Sequence, residues 1–244
     1  MAVTLADFAQ AEATAFEANR KLAGDYAMFA EESVTIFASM IVRIDRGHQL
    51  FMAYYSAVRK ASICATLSAL RQHKVQSSLN LRQAIEGTVL MTYALMNPRP
   101  EILEGVTEIS PRIEDKLSDK ARKWLAGAYP SYSEKLKLLK DNINETDSHA
   151  NLINTYATFD FDSTEKTSRN RFLDRDDEDH LKITLWTVGH TMTHLAAAYV
   201  GVALDAEGIE IAEDFRDRIA HLSKVNDALI DDVKRNPRWE GLFD

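Results

Sequence analysis

Arg82 and Glu86 stand one helical turn apart in LNLRQAIEGTVLMTYALM (79–96), the most apolar helix-forming stretch of the chain. A helix that is apolar around most of its circumference is central in its domain, and an unpaired charge there costs several kcal/mol. The pair must therefore be mutually satisfied, partnered by other polar side chains, or placed at a cleft. One reading is an internal ion pair that fixes helix register. The other is a site in which Arg82 grips an anionic group and Glu86 orients it or acts as a base, because a guanidinium binds carboxylate or phosphate bidentately. Asn80, in the same helical segment, joins the pair as a candidate binding residue.

A second constellation lies in 180–204. At about 100° per residue His180, Thr184, Thr187, Thr191 and His194 share one stripe, with His190 at its edge. A polar stripe without formal charge suits a wet cavity. His190 and His194, four residues apart, have the spacing of a zinc, iron or nickel pair, which would make a metal-dependent hydrolase or oxidase. Such a site needs a third ligand, for which Glu86 and His149 are candidates, and no HExxH or paired ExxH motif accompanies the histidines. The reading therefore assigns neither a metal nor a cofactor. Hydrogen-bonded core histidines, or a metal-free acid-base or anion site, are the alternatives.

The third constellation is Asn142, Asn144, Asp147, Ser148 and His149 at a helix end. Asp147 and Ser148 are ordinary terminating or capping residues. His149 is placed to overhang a pocket, whereas adjacent Ser148 and His149 diverge too far for a hydrolytic triad.

These residues need elements to hold them. From Leu5 to Ile44 apolar residues return at three- and four-residue steps, predicting a long helix bent at Gly24; a second helix after Asp45-Arg46-Gly47 completes a long N-terminal hairpin over 1–75. Ser77 or Ser78 is expected to cap a third helix that Asn97-Pro98 ends. Helices are expected around 113–126 and 131–147. Thr155 to Asp162 and Arg169 to Leu173 read as a small β-hairpin within 154–173. Acidic residues 176–179 favour the start of the next helix, and 206–235 forms a last amphipathic one. The fold class predicted is all-α, a single helical domain over 1–244 with the bundle in 76–244.

Composition bounds the rest. In 244 residues, 45% are hydrophobic and only 5 are Pro and 9 Gly, as in a packed helical globule. The single Cys64 permits no intrachain disulfide and no cysteine zinc site, and reads as a small core residue in a reducing compartment. The N-terminus lacks the pattern of a secretory or transit peptide, and no uncharged apolar run spans a bilayer, so the chain is expected to be cytoplasmic and not membrane-inserted. A net charge of −8 disfavours broad attraction to nucleic acid but allows a local basic groove. An alternative to a catalyst is a noncatalytic interaction or scaffold protein that forms a homodimer through its long hairpin and its last helix, at Phe215 and Leu222, and Pro237, Arg238 and Trp239 either anchor the tail or meet a partner.

The segments SSLNLRQAIEGTVLMTYAL and LLKDNINETDSHANL, some sixty residues apart, resemble uncharacterised bacterial all-helical domains distantly related to the HEPN superfamily, over roughly residues 76–205. The resemblance implies metal-independent RNA cleavage or a role in defence against mobile elements. A HEPN histidine would be the base toward a ribose 2'-hydroxyl, and an arginine would stabilise the phosphorane. The family's arginine, four to six residues, then histidine spacing occurs at Arg43 to His48, Arg175 to His180 and Arg216 to His221, none with the family's full pattern. The resulting expectation is one hydrated interior pocket, enclosed by helices at 78–96, 131–148 and 180–204. Arg82, Glu86, His149 and His194 would be its catalytic residues, with Asn80, His190, Thr187 and Thr191 binding, and RNA and a second copy of the chain as partners.

Overall fold

The computed structural model describes residues 4–98, 111–146, 159–162, 164, 166–174 and 177–239. Within them the protein is an all-α bundle: α1 (Leu5–Ala23), α2 (Asp25–Thr35), α3 (Gln49–Leu70), α4 (Lys74–Met96), α5 (Pro111–Ala128), α6 (Pro130–Thr146), α7 (Glu178–Ala203) and α8 (Phe215–Lys234). Two small antiparallel ladders join β1 (Ile41–Ile44) to β4 (Ile209–Ile211), and β2 (Phe159–Asp162) to β3 (Thr167–Asn170). No described helix is long and apolar enough to cross a membrane.

The first long helix ends earlier than its periodicity predicts. Gly24, at φ +52°, breaks it as expected, but the α-helix ends again at Thr35, followed by a single 3-10 turn at Ile36–Ala38. Ile41 to Ile44 is a strand, because these mostly β-branched residues find Ile209 to Ile211 as a partner. Ala212 N–H donates to the Met40 carbonyl at 3.0 Å and prolongs the ladder. That distant partner also shortens the last helix, which begins at Phe215. The β2–β3 hairpin lies within the expected 154–173, its second strand starting at Thr167 and not at Arg169, with Phe159 opposite Asn170 and Asp162 opposite Thr167.

Neither Ser77 nor Ser78 caps the third helix. α4 begins at Lys74, whose N–H donates to the Asp174 carboxylate at 2.7 Å, so a residue a hundred positions away supplies the cap. Ser77 is buried inside the helix and donates to the Ala65 carbonyl of α3 at 2.9 Å, tying the α3–α4 pair together. α7 starts as its acids predict, with the Asp177 carboxylate accepting the His180 N–H at 3.1 Å. The same carboxylate takes the Arg238 guanidinium at 2.6 Å, so the tail is anchored on the bundle.

One buried cluster runs from Ala23 to Val233, with α7 through its middle. Phe215 and Leu222 are 1% and 0% exposed, so α8 spends its apolar face on its own chain and those two residues cannot form a dimer surface. Gly189 and Gly201 let neighbours lie against α7: a Cβ at Gly189 would overlap the Phe29 ring of α2, and one at Gly201 would overlap Tyr132 of α6.

Tyr199 is fully buried on α7 and stacked on Phe51 at 5.9 Å, and its hydroxyl has no hydrogen-bond partner among the described residues. Burying an unpaired hydroxyl costs about 1–3 kcal/mol, which an isosteric ring without it avoids. Tyr199→Phe is accordingly expected to raise stability by about 1 kcal/mol in urea unfolding, and a comparable loss would contradict this account of the hydroxyl.

Candidate functional site

The Arg82–Glu86 pair is real, but it is not in the core. Arg82 Nε lies 3.3 Å from Glu86 Oε1, and their side chains retain 36% and 44% of their exposure. The buried stripe of α4 follows Leu81, Ile85, Thr88 and Thr92, while the charged pair occupies its flank toward α6. There Lys140 Nζ reaches the same Glu86 oxygen at 2.6 Å. Desolvation pulls the Glu86 carboxyl upward, but the hydrogen bonds and charges of Lys140 and Arg82 outweigh it and hold the group below the usual carboxylate value. An acid kept ionised between two cations is a weak base at neutral pH. Its chemistry is to fix the two cations in place.

Glu86 and Lys140 open onto a cleft of about 780 Å³ between α4, α5 and α6. Its floor is aliphatic: Ile85, Val89 and Leu90 from α4, Leu125 from α5, and Leu136 from α6. Arg122, Lys123 and Lys137 stand with Lys140 around it. Arg122 bonds Asp119 at 2.7 Å, Lys137 bonds Asp141 at 2.6 Å, and Lys123 has no ion-pair partner among the described residues. Among the described residues, counting Arg82, five cations meet three carboxylates, Glu86, Asp119 and Asp141, a local excess of +2 in a chain of −8. The amphipathic pattern of α6 builds this directly. Leu136, Leu139 and Ile143 face the core, while Lys140 and Ser133 fall on the flank toward α4 and α5.

Lys135 falls on the opposite flank of α6, about 140° from Lys140, and its charge acts on His190 and His194. Neither imidazole lines the cleft onto which Glu86 and Lys140 open. His190 stacks on Trp186 at 4.7 Å and meets His194 edge-on at 4.5 Å. Asn226 donates its amide to Asp227 at 3.2 Å, which turns its oxygen toward His190 Nδ1 at 3.0 Å and makes that nitrogen the protonated one. Burial lowers His190 to about 4, and burial with the neighbouring His190 and Lys135 lowers His194 to about 3. Both rings are neutral at pH 7, so they cannot serve as an anion-binding charge.

The threonine stripe is not a wet channel either. Thr184 and Thr187 return their hydroxyls to the His180 and Ile183 carbonyls of their own helix, each at 2.9 Å, and Thr191 is buried at 1% exposure. Asn80 is committed in the same way, to the Gln76 carbonyl at 2.8 Å. His149, with Asp147 and Ser148, lies outside the described residues. Among the described residues no group of three or more His, Cys, Asp and Glu is placed to hold a metal ion.

Of the arginine–histidine spacings, Arg43 is exposed on β1 beside Asp45 and Glu210, each 3.8 Å away, whereas His48 precedes α3. Arg216 and His221 are both exposed on α8, about 140° apart. Arg175 is outside the described residues, and His180 bonds Asp177 at 3.0 Å. The α5 cations were missed from sequence because Arg122 and Lys123 look like an ordinary solvated face; the repeated Lys137-Leu-Leu-Lys140 spacing opposite Glu86 was the available signal. Comparison of the chain with family models, with curated proteins and with solved structures returned no match.

Proposed function

We propose that this chain is an anion-binding helical protein of the cytoplasm whose working site is the cleft between α4, α5 and α6. The observation that carries the reading is the net positive, half-enclosed rim around Lys140, set over an aliphatic floor. Cavities of several hundred Å³ with an apolar lining and a few convergent polar groups are the usual form of a small-molecule site. Lys140 is positioned rather than free to wander, since Glu86 holds it at 2.6 Å while Arg82 satisfies the same carboxylate. The positive excess is then available to a ligand.

The amphipathic anion 8-anilinonaphthalene-1-sulfonate is a direct probe. It is expected to bind the native protein with one site per chain, and Lys140→Met combined with Lys123→Met is expected to weaken that binding at least tenfold. Lys21→Met, on the exposed side of α1, should leave it unchanged. Equal affinity in all three proteins, each checked for its native circular dichroism, would refute the reading.

A second reading, metal-independent RNA cleavage in the manner of the HEPN resemblance, is favoured by the same cationic rim. It requires cleavage of bulk RNA in EDTA that Arg82→Ala or His149→Ala abolishes and Lys21→Met does not.

A further inference from the structure

We infer that the ligand of this cleft is an aliphatic chain ending in a carboxylate or phosphate head, an inference that rests on the anion-binding reading and narrows it. Charge alone does not choose among anions, but the floor does. Ile85, Val89, Leu90, Leu125 and Leu136 offer branched aliphatic surface, and no aromatic side chain is among the lining residues described. Trp124 of α5 turns instead toward Tyr93 and Tyr129, at ring separations of 5.7 and 5.6 Å, and is occupied there.

Proteins that hold nucleobases without sequence preference do so on aromatic platforms, each stacked base being worth about 1–3 kcal/mol. This floor supplies none. An alkyl chain needs no such platform, because burying methylenes against aliphatic carbon is favourable and undirected. The cations have the matching arrangement. Lys140 belongs to α6 at the Glu86 wall, and Lys123 and Arg122 belong to α5, so a head group reaches positive charge from either wall while its chain lies on the floor between them. Ser118 and Ser133 add hydroxyls at the same rim. An anionic head there is attracted by the excess charge without breaking the Glu86–Lys140 pair.

The test is displacement of bound 8-anilinonaphthalene-1-sulfonate from the full chain by four competitors: decyl phosphate, decanoate, adenosine monophosphate and a ten-nucleotide oligouridylate. Decyl phosphate and decanoate are expected to displace it at concentrations at least tenfold below those of the nucleotide and the oligonucleotide. Val89→Asn should weaken decyl phosphate at least fivefold, and Lys140→Met should weaken it at least tenfold. Displacement by adenosine monophosphate or oligouridylate at concentrations equal to or below those of the alkyl anions would overturn the aliphatic inference and leave the anion site standing. Failure of all four competitors would overturn it as well. Loss of the distinction between native protein and the Lys140→Met, Lys123→Met variant in probe binding would instead bring down the underlying reading.

Discussion

Lowering the pH from 7 to 4.5 is expected to weaken the native protein by roughly 5 kcal/mol through the His190–His194 pair, before most carboxylates have titrated. In the unfolded chain both imidazoles take up a proton near pH 6.5, whereas burial lowers His190 to about 4 and His194 to about 3 in the folded state. The unfolded chain therefore binds more protons between those values. The stabilising effect of the neutral rings is complete above pH 6.5 and is lost progressively as the pH falls toward 4 and then 3. The surroundings set the direction: Lys135 of α6 opposes protonation of both rings, Asp227 and the Asn226 amide of α8 favour it at His190, and desolvation is the largest influence on each. Urea midpoints at pH 7, 6, 5 and 4.5 should fall steeply in the native protein and much less in His190→Gln, His194→Gln. Parallel curves for the two proteins would mean that the rings are not buried neutral.

Gly189→Ala is expected to cost about 2–3 kcal/mol, lowering the melting temperature by roughly 4–12 °C in a chain of this size. The added Cβ would overlap the Phe29 ring, and Phe29 is itself 2% exposed, so α2 and α7 must move apart to admit one methyl group. Gly201→Ala meets instead the far end of the Tyr132 side chain, half-buried on α6, and should cost less. Equal melting temperatures for the native protein and Gly189→Ala would contradict the close packing of α7 on α2.

Periodicity carried the helices because a 3.6-residue apolar pattern is a local property, and it located Gly24 and Asn97 as breaks for the same reason. It failed where the deciding partner is distant. Ile41 to Ile44 continues a helical stripe until Ile209 to Ile211 is known to lie beside it, and Asp174 caps α4 across a hundred residues. The site was half legible on the same grounds. Arg82 and Glu86 declare each other by spacing, but Lys140, their decisive partner, is on another helix, and a charge at the flank of an apolar stripe cannot be told from one in its middle without the packing. The polar stripe of α7 reads as a pocket lining by periodicity alone, whereas the helix offers Thr184 and Thr187 their own carbonyls within one turn. His190 and His194 are adjacent as their spacing requires, yet neither lines the cleft onto which Glu86 opens.

The central claim is that ligand is taken at the cationic cleft and not at the imidazoles. Titration of 8-anilinonaphthalene-1-sulfonate at pH 7 into the native protein, Lys140→Met and His194→Gln tests it most directly. At least a tenfold loss of affinity in Lys140→Met with none in His194→Gln is the predicted result. Undiminished affinity in Lys140→Met, or a tenfold loss in a natively folded His194→Gln, would contradict it.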